Sequence, residues 1–254
     1  MIRVLSIVYC LYLLLPMALL LVGAFGETWT NTLWPHGLTL RWFADLWDDG
    51  TFRRGFSTSL AIALTSCVCN TILSVPLAYA LHKRAAQRGA FLARMISAMP
   101  IAVPTITLAF GYLIVFNTDT LPWVGTLPLL IAAHTIQTMP YLTNTLLTDL
   151  RHLGIEQLEQ AAATLGATPS QRFFGIVLPS LRHSLVSGLA MVSAISVGEF
   201  GLSNLLSSFS NRTYPVVLLQ AFYGATGFAC AATVILLLLA STAAFLSTLS
   251  ANRT

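Results

Sequence analysis

Few side chains in this sequence could do chemistry within its long apolar stretches. The acidic and basic groups there are His134 and Glu199, and four cysteines stand in similar surroundings, namely Cys10, Cys67, Cys69 and Cys230. An enzyme site needs a nucleophile or base beside an orienting partner, and none of these residues has such a partner at a recognisable spacing. The cysteines are not spaced as zinc ligands, so we interpret them as small packing residues and expect no metal site.

The sole lysine, Lys83, argues against ATP hydrolysis by this chain. A P-loop places a lysine directly after a glycine-rich loop, so that its ammonium group reaches the nucleotide phosphates. Lys83 stands in Leu81-His82-Lys83-Arg84, and no glycine loop precedes it. We therefore expect the chain to be no enzyme and to bind no ATP, Mg²⁺ or other cofactor itself. An integral-membrane enzyme that uses His134, Glu199 or a cysteine is kept as an alternative.

The composition requires a lipid environment. Charged residues make up 9% of the 254 residues, against about 25% in soluble domains, and the mean hydropathy is +0.77. Six apolar segments are each long enough to cross a bilayer as a helix, and we interpret the first as a retained span rather than a signal peptide. The sequence thus predicts an all-α integral membrane protein forming one domain over residues 1–254, with six spans at Val4–Phe25, Phe56–Leu81, Met95–Phe116, Val124–Leu147, Leu185–Leu206 and Phe228–Leu249.

The basic residues predict the orientation of these spans. Placing both termini inside puts nine of them in inner segments, namely Arg3, Lys83, Arg84, Arg88, Arg94, Arg151, Arg172, Arg182 and Arg253. The outer segments then hold four, Arg41, Arg53, Arg54 and Arg212. Positive residues favour the cytoplasmic side, so we expect cytoplasmic termini. In the first outer segment, Leu40, Phe43 and Leu46 recur at helical spacing and predict a short interfacial helix.

The inner loop between the fourth and fifth spans, residues 148–183, contains unusually specific helix signals. Ile155, Leu158, Ala162 and Leu165 form one apolar stripe at helical spacing, with Glu156, Glu159 and Gln160 off that stripe. Gly166 follows and can stop the helix in the left-handed conformation. Thr168 suits an N-cap, Pro169 the first helical position and Gln171 the end of a capping box, while Pro179 is expected to end or kink this second helix. The loop is therefore predicted to be a helix–glycine–helix elbow; an amphipathic hairpin lying on the membrane is the alternative.

The loop resembles one found in permeases of binding-protein-dependent importers. Their motif reads Glu-Ala-Ala, three residues, Gly, nine residues, Ile, one residue, Leu-Pro. This chain has Gln160-Ala161-Ala162, then Gly166, Ile176 and Leu178-Pro179, so the spacing matches and the acidic position does not. Weaker resemblances are Pro100–Pro104, Phe52–Leu64 and Gly198-Glu199-Phe200-Gly201, the last similar to permeases for sulfate, molybdate, polyamines, iron and phosphonates.

The resemblance implies a fold, a function and partners. It implies the type-1 permease fold of ABC transporters, with the elbow as a coupling helix that docks into an ATPase subunit. The coupling set would be Glu159, Gln160, Ala161, Ala162, Ala163, Gly166, Ile176, Leu178 and Pro179. Implied partners are two ATPase subunits, which bind the ATP and Mg²⁺, a solute-binding protein and a second permease subunit, for which we favour a paralogue over an identical copy. A channel or structural membrane protein is the remaining alternative class.

The resemblance also suggests a solute and a pathway. The group around Glu199 favours a small charged or zwitterionic solute, first of all a phosphonate such as 2-aminoethylphosphonate, with polyamine, iron or thiamine as alternatives. We expect Glu199 and His134 to line the translocation pathway. Each also has a structural interpretation, because a buried carboxylate or imidazole can serve as a hydrogen-bonding link between neighbouring helices.

Overall fold

A computed structural model describes residues 2–29, 32, 34–84 and 88–251 of the chain. The helices are α1 Ile2–Phe25, α2 Arg41–Asp48, α3 Gly50–Lys83, α4 Arg88–Ala102, α5 Thr105–Phe116, α6 Leu127–His152, α7 Ile155–Thr164, α8 Pro169–Arg172, α9 Leu178–Ser180, α10 Arg182–Gly198, α11 Gly201–Leu206, α12 Tyr214–Ala221 and α13 Thr226–Ala251, with a π-helical turn at Phe173–Val177 between α8 and α9. Arg253, used in the charge count, lies outside the described residues.

Two short antiparallel hairpins interrupt the otherwise helical chain, and the sequence did not predict them. Strand β1 (Gly26–Thr28) pairs with β2 (His36–Leu38), with Gly26 opposite Leu38. Strand β3 (Asn117–Thr118) pairs with β4 (Leu121–Pro122), with Asn117 opposite Pro122. Both hairpins join consecutive helices at the end of the bundle where α1 ends and α3 begins.

The buried apolar side chains form three clusters stacked along the bundle. One lies at the end where α3 begins and joins α1, α2, α12 and α13 around Phe52 and Tyr214. A middle cluster joins α3, α5, α6 and α11 around Ile62 and Leu130. The third lies where α3 ends and joins α3, α6, α10 and the elbow around Leu146. The predicted short helix is confirmed as α2, whose Leu46 is buried in the first of these clusters, and its interfacial location stays a prediction.

Two of the six predicted spans are broken. The third divides into α4 and α5, which meet at an angle of 105°. Proline disfavours a helical conformation at the residue before it, so Pro104 ends α4 near Val103. The fifth divides at Glu199 and Phe200, between α10 and α11.

The predicted count of six spans is not confirmed. Among the described residues, two helices are long and apolar enough to cross a membrane, Val4–Phe25 and Gly50–Lys83. Counting each strongly bent helix pair as one span raises the number to four. Along α1 the apolar side chains stay exposed, with Leu5 70% and Leu11 63% accessible, as expected for a helix that faces lipid.

Candidate functional site: the elbow and the broken fifth span

The first arm of the elbow, α7, ends at a left-handed glycine. Gly166 has φ +86°. Its amide donates to the carbonyl of Ala163 at 3.0 Å, and the amide of Ala167 donates to the carbonyl of Ala162 at 3.0 Å. These two hydrogen bonds satisfy carbonyls at the end of α7, and they require a positive φ at Gly166. The predicted glycine stop at Gly166 is confirmed.

The second arm begins with the predicted cap. The amide of Gln171 donates to Thr168 Oγ1 at 3.3 Å, and Gln171 Oε1 accepts from the amide of Thr168 at 2.8 Å, which completes a capping box with Pro169 at the first helical position. Further along, the arm ends at Ser180, one residue after Pro179, which agrees with the predicted end or kink there. The arm contains a π-helical turn at Phe173–Val177 and then bends by 63° into α10.

The faces of α7 differ from the predicted ones. Ile155 and Glu159 are buried against the bundle, whereas Leu158 is 50% and Leu165 89% exposed. The predicted apolar stripe therefore does not pack against the bundle at Leu158 and Leu165. The placement of Glu159 on the face offered to an ATPase is wrong, because its side chain is 1% exposed and points into the protein.

Glu159 is buried because α3 supplies partners for both of its oxygens. Lys83 Nζ lies 2.7 Å from Oε2, and the Tyr79 hydroxyl donates to Oε1 at 2.5 Å. Burial by itself would raise the pKa of the Glu159 carboxyl, but the hydrogen bonds from Lys83 and Tyr79, with the positive charge of Arg172 nearby, hold that pKa below its ordinary value. The carboxyl group is therefore a buried carboxylate at neutral pH.

Sequence reasoning missed Tyr79 and Lys83 as parts of this site. Lys83 lies 76 residues before Glu159, as the two numbers show, so no periodicity or local spacing links them. The available signal was weak: a single lysine at the end of a span, facing a loop that contains glutamate. Only the packing of the elbow against α3 brings them together.

The other predicted coupling residues differ in exposure. Gln160, Ala161, Ala163, Gly166 and Pro179 are exposed. The apolar Ala162, Ile176 and Leu178 are half-buried. The neutral side chain at Gln160 thus lies on the open surface, and the adjacent Glu159 cannot replace the missing negative charge there because it faces inward.

Glu199 lies at the break in the fifth span, and its side chain binds the start of α11. Its carboxylate accepts from the backbone amides of Gly201 at 3.1 Å, Leu202 at 2.8 Å and Ser203 at 3.3 Å, and it also contacts the Thr105 hydroxyl. These amides form the first turn of α11 and have no partners within the helix. A Cβ at Gly201 would lie 2.5 Å from Thr105 Oγ1, so glycine there allows α5 to approach closely. This geometry matches the structural interpretation of Glu199.

An open depression of about 400 Å³ adjoins this break. Thr105, Gln137, Gly198 and Glu199 line it together with apolar groups. The amide oxygen of Gln137 is buried and has no hydrogen-bond partner among the described residues. Glu199 therefore borders an open space although it is only 6% exposed, and its pathway role stays a prediction.

His134 lies inside the bundle and does not line that depression. Its Nδ1 shares a hydrogen bond with the Ser196 hydroxyl at 2.8 Å, and its Nε2 shares one with the Ser203 hydroxyl at 3.0 Å. The side chain is 1% exposed. Both ring nitrogens are occupied by groups of α10 and α11, which matches the alternative of an interhelical link rather than a residue facing a solute in this conformation.

A family comparison covers most of the chain, including the elbow and the broken span. The model described as "Binding-protein-dependent transport system inner membrane component" matches residues 72–254. This chain belongs to that family. It is a permease component of an ABC importer rather than an enzyme, and membership decides among the three classes that the sequence left open. No three His, Cys, Asp or Glu side chains come together as a metal site in the described parts of this permease.

Related proteins differ in the solutes for which they are named. A Salmonella paratyphi A protein, provisionally named as permease PhnV of a 2-aminoethylphosphonate transport system, is 27% identical over 84% of this chain and 79% of its own length. The putrescine permease PotI of Escherichia coli is 26% identical over 83% of this chain and 75% of its own. The sulfate permease CysW of Synechocystis is 26% identical over 96% of this chain and 90% of its own length.

Solved structures agree with the fold. A bacterial alginate ABC transporter, in complex with an alginate-pentasaccharide-bound periplasmic protein, has a chain that matches this permease with a TM-score of 0.76. The match is 16% identical and covers 99% of this chain and 93% of the other. At that identity the likeness supports the permease fold and not the solute.

Proposed function

We propose that this permease has six spans and cytoplasmic termini, and that it imports a small charged or zwitterionic solute, with 2-aminoethylphosphonate as the first candidate. The observation that carries the choice of solute is the 27% identity to the aminoethylphosphonate relative over 84% of the chain. Orientation is supported by the nine inner basic residues against four outer ones.

The elbow is proposed to dock onto an ATPase subunit. Leu158, Leu165 and Phe174 are between 50% and 89% exposed, although all three are large and apolar. Exposed apolar side chains grouped on one short segment are typical of an interaction surface. Gln160, Ala161 and Ala163 are exposed on the same short helix, and so is Glu156. The ATPase subunit would bind ATP and Mg²⁺, for which this chain has no P-loop.

The complete importer is proposed to contain two ATPase subunits, a second permease subunit and a solute-binding protein. Six spans would form half of a pathway, and we favour a paralogous permease for the other half. The alginate transporter of similar fold was solved with a periplasmic solute-binding protein, and the family is described as binding-protein-dependent. Both facts support a comparable partner here.

A polyamine is the second candidate solute, because the putrescine relative matches nearly as much of the chain as the aminoethylphosphonate relative does. Sulfate is the third, given the greater coverage of the sulfate relative. Glu199 does not decide between cation and anion, since its charge is directed to the amides of α11. The solute must therefore be determined by uptake.

The test is uptake by proteoliposomes that contain the complete importer, with radiolabelled 2-aminoethylphosphonate as the probe. We expect uptake that requires ATP and the solute-binding protein, and that excess unlabelled putrescine, sulfate, iron or thiamine does not inhibit. Inhibition by putrescine, with ATP-dependent uptake of labelled putrescine, would replace the first candidate with the second. Uptake that proceeds without ATP would contradict the importer proposal itself.

A further inference from the structure

The elbow is joined to the bundle by two covalent connections, by apolar packing in the third cluster and by a set of polar side-chain contacts. Its first arm follows α6 through His152, and its second arm leads into α10 at Arg182. Both of those connections are covalent. Helix α3 is remote from the elbow in sequence, yet Lys83 and Tyr79 at its end hold the carboxylate of Glu159. We call these three residues the α3–α7 contact.

The second arm of the elbow packs against the α3–α7 contact. The ring of Phe173 packs edge-on against the ring of Tyr79, with centroids 5.2 Å apart. Lys83 Nζ lies 5.7 Å from the centroid of the same tyrosine ring. Tyr79 therefore touches the glutamate of one arm and the phenylalanine of the other, so the end of α3 is fixed relative to both arms of the elbow.

Stability alone does not account for a buried ion pair at this position. The Glu159 carboxylate is taken out of water while Lys83 stays 35% exposed, so the cost of desolvating the carboxylate offsets their attraction, and apolar replacements of similar volume are often neutral or stabilising. The surroundings are apolar, with Ala78, Leu81 and Ile155 in the same buried cluster. An ion pair with a defined hydrogen bond instead fixes the position of its two groups relative to each other.

Polar contacts continue from α3 towards the break in the fifth span. Asn70 of α3 donates to Thr138 Oγ1 of α6 at 2.9 Å, and that hydroxyl donates to the carbonyl of His134 at 2.7 Å. The His134 ring reaches Ser196 and Ser203, which flank the break at Glu199. A displacement of α3 would therefore act on α6, α10 and α11 through buried hydrogen bonds.

We propose that Lys83 and Tyr79 are positioning residues that hold Glu159 so that a movement of the elbow also moves the elbow end of α3. The inference rests on the proposed docking of the elbow to an ATPase. The carboxylate of Glu159 then makes its contact within the permease, and the neutral Gln160 lies on the outside.

The test measures the movement directly in the complete importer. The four native cysteines are replaced by serine, and spin labels are placed at Ala80 of α3 and at Leu5 of α1, a helix that is not continuous with the elbow; both positions are exposed. The distance between the labels is measured with and without ATP plus vanadate, and the ATPase rate is recorded in parallel. In the otherwise wild-type complex we expect the trapped nucleotide to shift the distance distribution.

Breaking the α3–α7 contact should reduce that shift while ATP hydrolysis continues. For Lys83→Met and for Glu159→Gln we expect a reduction of about threefold, the order of change produced by residues along a coupling network. The charge-reversed double variant, Lys83→Glu with Glu159→Lys, should recover most of the shift. Arg84→Met removes a neighbouring positive charge that the structure places outside the contact, and it should behave as wild type.

The outcomes separate a positioning role from a merely structural one. Single variants that assemble and show a wild-type shift overturn the inference, even if their Tm falls. If neither single variant assembles, the neutral pair Lys83→Met with Glu159→Leu decides: a reduced shift supports the inference, whereas a wild-type shift or failed assembly overturns it. If the wild-type complex itself shows no nucleotide-dependent shift, the proposed docking of the elbow fails, and this inference fails with it.

Discussion

Glu159 and Glu199 are the buried carboxylates among the residues that the structure describes, and the protein stabilises them by different means. Glu199 is bound by backbone amides two to four residues further along the chain. Glu159 is bound by side chains of Tyr79 and Lys83 from a helix 76 or more residues away. One carboxylate therefore shapes its own segment, and the other joins two separate elements.

The difference shows what each site requires of its residue. If Glu199 lost its acceptor oxygens, the amides at the start of α11 would have no partners inside the bundle. Folding therefore depends on the Glu199 carboxylate. At Glu159 the partners are a cation and a hydroxyl that could turn towards solvent, since Lys83 is 35% exposed. We therefore expect changes at Glu199 to act first on assembly and changes at Glu159 to act first on coupling.

The largest expected effect is on assembly, from Glu199→Leu. Three backbone amides would lose their acceptor, and each unsatisfied buried group costs about 1–3 kcal/mol. We expect a severe loss of assembled complex, whereas Glu199→Gln, which keeps one acceptor oxygen, should lose less. The measurement is the yield and Tm of the purified complex, with Glu27→Gln at an exposed carboxylate as the control. Normal yield with altered solute preference in Glu199→Gln would instead make Glu199 a pathway residue.

The next effect is on transport, from Gly166→Val, which disturbs the arm that carries Glu159. A side chain in the left-handed conformation costs about 1–2 kcal/mol. No heavy atom lies within 4 Å of a Cβ built at Gly166, so the strain is confined to the backbone and folding should survive. We expect transport to fall about fivefold or more, which is the lower range of coupling between sites.

Controls for Gly166→Val come from the same elbow. Gly175 is exposed, and its φ is not in the left-handed region, so Gly175→Ala should be silent. Pro169→Ala loosens only a helix start and should have a mild effect. Uptake and ATP hydrolysis are measured for all three variants. Full coupled transport by Gly166→Val would show that the elbow does not transmit the action of the ATPase.

The smallest expected effect is a pH dependence that distinguishes Glu159. Because the folded-state pKa of Glu159 is lowered, its contribution to stability is present above the unfolded-state pKa and is lost as pH falls through the folded-state pKa. The Tm of the purified complex should therefore fall less steeply on acidification in Glu159→Gln than in wild type. Glu156→Gln, at an exposed position of the same helix, serves as the control. Equal slopes for Glu159→Gln and wild type would show that the ion pair does not stabilise the fold.

Local features of this protein were predictable from its sequence. The stop at Gly166, the capping box at Thr168 and Gln171 and the short helix at Leu46 all depend on residues within one or two turns of each other. Backbone conformation there follows from which side chains stand next to one another, so spacing alone suffices. Membership of the permease family was predicted from the same loop, since Gly166, Ile176 and Pro179 keep the motif's spacing.

Only the tertiary structure decided the inward face of α7 and the partners of the buried carboxylates. Helical periodicity put Leu158 and Leu165 on one stripe with Ile155, but it did not show that Ile155 and Glu159 face the bundle while Leu158 and Leu165 face outward. The reason is physical: a carboxylate can be buried only where its partners are, and Lys83 and Tyr79 reach it through the packing of α3 against the elbow. No spacing along the chain encodes that meeting.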